Sequence, residues 1–87
     1  MPKYTFSDDA FKDYVEFQTN DKATAAKINR LLKDIARTPF SGLGKPEPLK
    51  HSKTGNWSRR INDTDRLVYE VKDGEVFIAQ CKGHYND

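Results

Sequence analysis

Cysteine is nearly absent from this 87-residue chain, and the single Cys81 cannot close an intramolecular disulfide. Placed in the apolar run Val76-Phe77-Ile78-Ala79-Gln80-Cys81, it reads as a small buried hydrophobe in a reducing compartment rather than as a nucleophile. Long apolar runs are missing as well. No stretch approaches the ~20 residues that span a bilayer, and Met1-Pro2-Lys3-Tyr4 opens no secretory signal, so a soluble, cytoplasmic protein without a membrane partner is expected. The only two histidines, His51 and His84, are far apart, and the acids form no paired cluster. A metal site is therefore not expected, and neither is another cofactor. There is no nucleophile-elbow motif, and Gly42-Leu43-Gly44-Lys45 lacks the spacing of a phosphate-binding loop. Repeats, linkers and low-complexity segments are also missing. With 36% hydrophobic residues the chain can build one modest core, so residues 1–87 are expected to form a single domain.

What is present is unevenly charged. Residues 1–44 carry seven basic and six acidic side chains, residues 45–66 six and three, and residues 67–87 two and four. The net values are +1, +3 and −2, so the modest total of +2 conceals an electropositive middle segment. Cations interleaved with His51 and Trp57 suit a phosphate-contacting surface, although a solvated basic face has the same composition.

Periodicity predicts the elements. A short strand at Tyr4-Thr5-Phe6 precedes Ser7, an N-cap, and Asp8 and Asp9 follow in a first helical turn where carboxylates favour the dipole. Ala10, Phe11, Tyr14, Val15 and Phe17-Gln18 form the apolar stripe of that helix, and Asn20-Asp21 breaks it and caps the next. The second helix buries Ala25, Ile28, Leu31, Leu32 and Ile35 and ends at Thr38-Pro39, because proline disfavours a helical residue before it. Phe40 to Pro48 holds two glycines and two prolines and is a shaped loop, in which Glu47 is stiffly mounted between Pro46 and Pro48. The period then becomes two, giving strands at Leu49-Lys50-His51, Trp57 to Ile61, Arg66 to Val71 and Val76 to Cys81, with a tight turn at Asp73-Gly74. The expected fold is α+β, a small antiparallel sheet packed against a two-helix hairpin in the order β-α-α-β-β-β-β.

On such a sheet one open face can gather Lys50, Arg60, Arg66 and the His84-Tyr85 tail, with Glu47 entering from the rim. Each has a plainer assignment: Lys50 as a solvated lysine, Arg60 and Arg66 as surface charges or partners of Asp63 and Asp65, His84 and Tyr85 as a frayed tail. As a set they can support metal-independent RNA cleavage by in-line attack of a 2′-hydroxyl. Glu or Lys can take its proton, His84 can protonate the leaving 5′-oxygen, and arginines can hold charge on the transition state. Tyr85 or Trp57 can stack on a base.

Thr38-Pro39-Phe40, Gly42-x-Gly44-Lys45-Pro46-Glu47-Pro48-Leu49-Lys50-His51, Gly55-x-Trp57-Ser58-Arg59-Arg60-Ile61, Arg66-Leu67-Val68-Tyr69 and His84-Tyr85 together resemble the YoeB (Txe) branch of the RelE-type toxins of toxin–antitoxin modules. The resemblance spans nearly the whole chain and implies the RelE-like fold. It also implies a ribosome-dependent endoribonuclease that cuts messenger RNA in the decoding site. Glu47 then matches the general base, His84 the general acid, Arg66 the arginine that stabilises the transition state, Lys50 and Arg60 assisting cations, and Tyr85 a substrate-orienting tyrosine. Lys45, His51, Trp57, Arg59 and Arg60 would face RNA. The implied partners are the ribosome with its messenger RNA, a YefM-type antitoxin with an acidic segment, a second copy of the chain, and DNA only through the antitoxin. Two features depart from the pattern: Gly83 precedes His84 where a bulkier residue is expected, and Asn86-Asp87 follow the tyrosine. Two other readings stay open, a ParE-like toxin that binds gyrase without cleaving, and a non-catalytic RNA-binding module.

Overall fold

In a computed structural model, the structure describes residues 2–50 and 55–84. Seven elements follow one another: β1 (Lys3–Phe6), α1 (Asp8–Asn20), α2 (Lys22–Arg37), β2 (Glu47–Pro48), β3 (Trp57–Arg60), β4 (Arg66–Lys72) and β5 (Glu75–Gln80). This is the expected α+β order. Both helix starts are built as the sequence predicts. Ser7 Oγ accepts the Ala10 N–H at 3.1 Å, and Asp21 takes the Thr24 N–H at 3.1 Å and its hydroxyl at 2.7 Å. Asp73 (φ 52°) and Gly74 (φ 77°) both turn left-handed between β4 and β5, the geometry a two-residue hairpin needs.

Strands β2 to β5 form the predicted antiparallel meander, in the sheet order β1-β5-β4-β3-β2. The sheet is mixed rather than purely antiparallel, because β1 joins β5 in parallel, with Tyr4 opposite Val76 and Phe6 opposite Ile78. The two helices between them provide the crossover that parallel pairing requires. The strand expected at Leu49-Lys50-His51 lies two residues earlier, at Glu47–Pro48. Proline is tolerated there because β2 is an edge strand that has to pair on one side only.

One sheet face packs on the helices. Ile28, Leu31 and Ile35 of α2 are fully buried against Leu67, Tyr69, Val76 and Ile78. Each such apolar side chain contributes about 1.5–3 kcal/mol. Helix α1 departs from the expectation: Ala10 is buried and Tyr14 and Phe17 pack on the core, but Phe11 and Val15 stay 55% and 45% exposed. The helix rests on β1, β5 and α2, and β1 is the sheet's edge, so half of the apolar stripe overhangs it. Cys81 is buried as expected, its thiol donating to the Ala10 carbonyl at 3.4 Å. Among the described residues no helix is long and apolar enough to cross a membrane.

Candidate active site

Strand alternation sorts the candidate residues onto faces. Leu67 and Tyr69 point into the core, so Arg66, Val68 and Glu70 stand on the face away from the helices. The register extends this face across neighbouring strands. Arg60 pairs with Arg66, Val68 with Ser58, and Ser58 with Glu47 on the edge strand. Two interstrand steps, roughly 10 Å, therefore separate Glu47 from β4. Glu47 and Arg60 are exposed and Arg66 is half-buried.

The loop before Glu47 is held by backbone geometry. Gly44 and Lys45 have φ of 80° and 52°. A Cβ on Gly44 would lie 2.9 Å from the Arg60 carbonyl, and the Gly44 carbonyl accepts the Arg60 N–H at 2.6 Å. Glycine is needed here both for its φ and for the close approach to β3. Lys45, predicted to face RNA, is exposed on this turn, and Lys50 is exposed just beyond β2.

The tail is clipped onto the start of β4. The Arg66 N–H donates to the Gly83 carbonyl at 3.0 Å, and the Gly83 N–H donates to Asp65 Oδ1 at 2.8 Å. A bulge in the β4–β5 register pairs Val68 with Gln80 while Tyr69 still pairs with Ile78. From there Gln80 Nε2 reaches the carbonyls of Lys82 (3.0 Å), Gly83 (3.3 Å) and His84 (3.3 Å). Gly83 turns at φ 83°, a conformation that glycine adopts without strain. The exposed His84 thus follows Gly83, which is fixed beside Arg66 although 17 positions separate the two in the chain. Arg66 is itself anchored, its Nη1 donating to the carbonyls of Asn62 (2.7 Å) and Asp65 (3.1 Å).

Arg59 is a correction. It was expected to face RNA, but it is fully buried, because Trp57 and Arg59 occupy the core-facing positions of β3 while Ser58 and Arg60 take the other face. All five of its N–H donors are committed. Nε donates to the Tyr69 hydroxyl (3.1 Å), Nη1 to Asp34 Oδ2 (2.6 Å) and the Leu43 carbonyl (3.0 Å), and Nη2 to the carbonyls of Thr38 (2.6 Å) and Ser41 (2.8 Å). The Leu43 N–H and this guanidinium together hold the Asp34 carboxyl below its ordinary range. Burial pushes the Tyr69 hydroxyl up, and it donates onward to the Pro39 carbonyl at 2.7 Å. Trp57 likewise lies on the core side, its ring 4.8 Å from that of Phe40 at 39°, so it does not join Glu47 and Arg60 on the open face. His51 and Tyr85 lie outside the described residues.

Sequence reasoning missed Asp34, Asp65 and Gln80. The signal for Arg59 was present, since Trp57 and Ile61 both read as apolar and two-residue alternation puts Arg59 on their side. The ion pairs considered for Arg60 and Arg66 with Asp63 and Asp65 are not formed. Among the described residues the ion pairs are Arg37–Asp34, Arg59–Asp34 and Lys82–Glu16.

Comparison with known proteins agrees with this architecture. The sequence profile of the YoeB-like toxin of bacterial type II toxin-antitoxin systems matches residues 6–85. Toxin YoeB of Escherichia coli (strain K12) is 52% identical over 83 residues, covering 95% of this chain and 99% of its own. The YoeB dimer from Staphylococcus aureus superposes with a TM-score of 0.91 at 54% identity, over 97% of this chain and 98% of that one. A YoeB–YefM complex from the same organism matches with a TM-score of 0.89 at 52% identity, over 98% and 99%. Family profile, near-full-length relatives and fold coincide, and the chain belongs to the YoeB-like toxins of bacterial type II toxin–antitoxin systems.

Proposed function

We propose that this toxin is a ribosome-dependent endoribonuclease that cleaves messenger RNA in the decoding site without a metal ion. Glu47 takes the proton of a 2′-hydroxyl, the freed oxygen attacks the adjacent phosphorus in line, and a 2′,3′-cyclic phosphate forms. The bond to the 5′-oxygen breaks as His84 protonates that leaving oxygen. Arg66, with Lys50 and Arg60, offsets the charge that develops on the phosphoryl oxygens, and Tyr85 orients the substrate. Lys45 and His51 contact RNA around the site, whereas Arg59 has no donor left to do so and Trp57 stands on the core side of the sheet.

The observation that most supports this reading is the clip that holds Gly83, the residue before His84, beside Arg66 at the end of the face carrying Glu47 and Arg60. A gyrase-binding toxin has no need of a histidine in a tail fastened to the strand that carries Arg66, on a sheet whose edge carries Glu47. For partners, we propose an antitoxin of the YefM kind, whose acidic segment covers the electropositive stretch of residues 45–66, and self-association in a dimer like that of the staphylococcal relative. DNA contact passes through the antitoxin, and the protein works in the cytoplasm.

Primer-extension mapping of a defined messenger RNA in a reconstituted translation system tests the reading. Wild type should cut only when ribosomes are present, and His84→Ala or Glu47→Ala should slow cutting by about 10²-fold or more while ribosome binding persists. Wild-type cutting by His84→Ala would remove the general acid from the scheme. Translation arrest without any cut would favour a binding toxin.

A further inference from the structure

We propose that Asp65 is a positioning residue for catalysis, a buttress that fixes the tail so that His84 meets the leaving oxygen; this rests on the role given to His84 above. Asp65 is tied from several directions. Its N–H donates to Asn62 Oδ1 at 2.8 Å, and its carbonyl accepts the Ile61 N–H at 3.0 Å and Arg66 Nη1 at 3.1 Å. Oδ2 accepts from Asn62 Nδ2 at 3.0 Å and from the Thr64 hydroxyl at 3.3 Å, which leaves Oδ1 turned to the Gly83 N–H at 2.8 Å.

Both polar groups of the Gly83 backbone therefore end on one dipeptide, the N–H on the Asp65 side chain and the carbonyl on the Arg66 N–H. β5 ends at Gln80, so no ladder pairing reaches this part of the tail. The Asp65 carboxylate substitutes for the missing strand, and the Gln80 amide ties the carbonyls of Lys82, Gly83 and His84. Arg66 and His84 consequently share a single anchor. A shift of the Asp65 turn would move the transition-state cation and the proton donor together, whereas loss of the Asp65–Gly83 bond would free only the donor.

A donor displaced by about 1 Å loses on the order of 10²-fold in rate, because alignment supplies much of the barrier reduction. Single-turnover cleavage on saturating programmed ribosomes should accordingly fall about 10- to 10²-fold in Asp65→Ala, with apparent affinity for the ribosome changed by less than about threefold. Asp65→Asn retains an oxygen acceptor for the Gly83 N–H and should keep the rate within a few-fold of wild type. Gly83→Ala has open space around its Cβ but an unfavourable φ of 83°, and should lose kcat as Asp65→Ala does.

The decisive arm is the double variant. If Asp65 acts through His84, Asp65→Ala on a His84→Ala background costs nothing further, since there is no donor left to misplace. Additive losses would overturn the proposal and assign Asp65 a general structural role, and so would equal defects in Asp65→Asn and Asp65→Ala. Should Asp65→Ala not fold, Gln80→Ala carries the same double-variant test on the other half of the clip. A His84→Ala variant with full rate refutes the acid assignment itself, whereas loss in His84→Ala with an unaffected Asp65→Ala refutes only the buttress.

Discussion

Replacing Arg59 by methionine keeps the aliphatic stem and deletes the guanidinium, and the consequences can be worked out bond by bond. Five hydrogen bonds vanish together, to Tyr69, Asp34, Leu43, Thr38 and Ser41. Asp34, with a side chain only 10% exposed, keeps the Leu43 N–H but loses its buried counter-ion, leaving only the exposed Arg37 at 3.8 Å, and three loop carbonyls each lose a donor. Breaking one side of a buried ion pair costs about 3–5 kcal/mol. The total stability expected of a domain this size is ~4–13 kcal/mol. Arg59→Met should therefore lose roughly a quarter of it or more, with a fall in Tm of about 12 °C or more. Urea melts followed by the fluorescence of Trp57, which packs on Phe40 at the edge of the clamp, provide the measurement. Asp34→Asn supplies a pH arm. The folded-state pKa of Asp34 lies below its ordinary value of 3.8, so the contribution of its charge is fully present above that value and is lost as pH falls through the lowered one. The wild-type advantage over Asp34→Asn should be constant near neutrality and shrink under acid. A loss below about 1 kcal/mol in Arg59→Met, the size of one ordinary hydrogen bond, would refute the idea that this guanidinium holds the loop to the sheet.

Other outcomes follow from single residues. A Cβ at Gly42 would collide with Asp34 Oδ2 at φ 108°, whereas Gly74, at φ 77°, faces open space. Gly42→Ala should therefore lower Tm clearly more than Gly74→Ala, and equal effects would mean that strain alone matters at residue 42. Burial pushes the Cys81 thiol up to about 12, so a thiol reagent at pH 8 should label it only at the rate of global opening. Labelling within seconds under native conditions, read by mass spectrometry, would contradict the buried position.

The helices were legible because local rules decide them. Ser7 and Asp21 cap their helices with their own side chains, and the stripe from Ala25 to Ile35 is buried residue for residue as periodicity requires. The parallel docking of β1 on β5 was not legible, since it joins segments more than 70 residues apart and depends on where the helix pair returns the chain. β2 was misplaced because two prolines read as loop, a rule that fails at an unpaired edge. At the site, the clustering of Glu47, Arg60 and Arg66 on one face could be anticipated from alternation. Asp65 could not, because its carboxylate serves a glycine N–H that lies next to it only after the sheet has formed.

The loop that leads to Glu47 and the tail that leads to His84 both run outside the strand ladders, so their backbone groups need partners elsewhere. The partners turn out to be related. The Arg60 N–H holds the loop leading to Glu47 through the Gly44 carbonyl, and the Arg66 N–H holds the tail leading to His84 through the Gly83 carbonyl. Arg60 and Arg66 are themselves paired across β3 and β4. The two cations proposed to grip the phosphate thus use their main chains to set the segments that carry the proposed base and acid; the Arg60 side chain is exposed, and Arg66, whose Nη1 is held by the Asn62 and Asp65 carbonyls, keeps Nε and Nη2 for the substrate. A side-chain change at Arg60 leaves its N–H in place, so the kinetics of such a variant report on charge at the phosphate rather than on placement, whereas a change at Arg66 also removes the bonds that tie the Asn62–Asp65 turn.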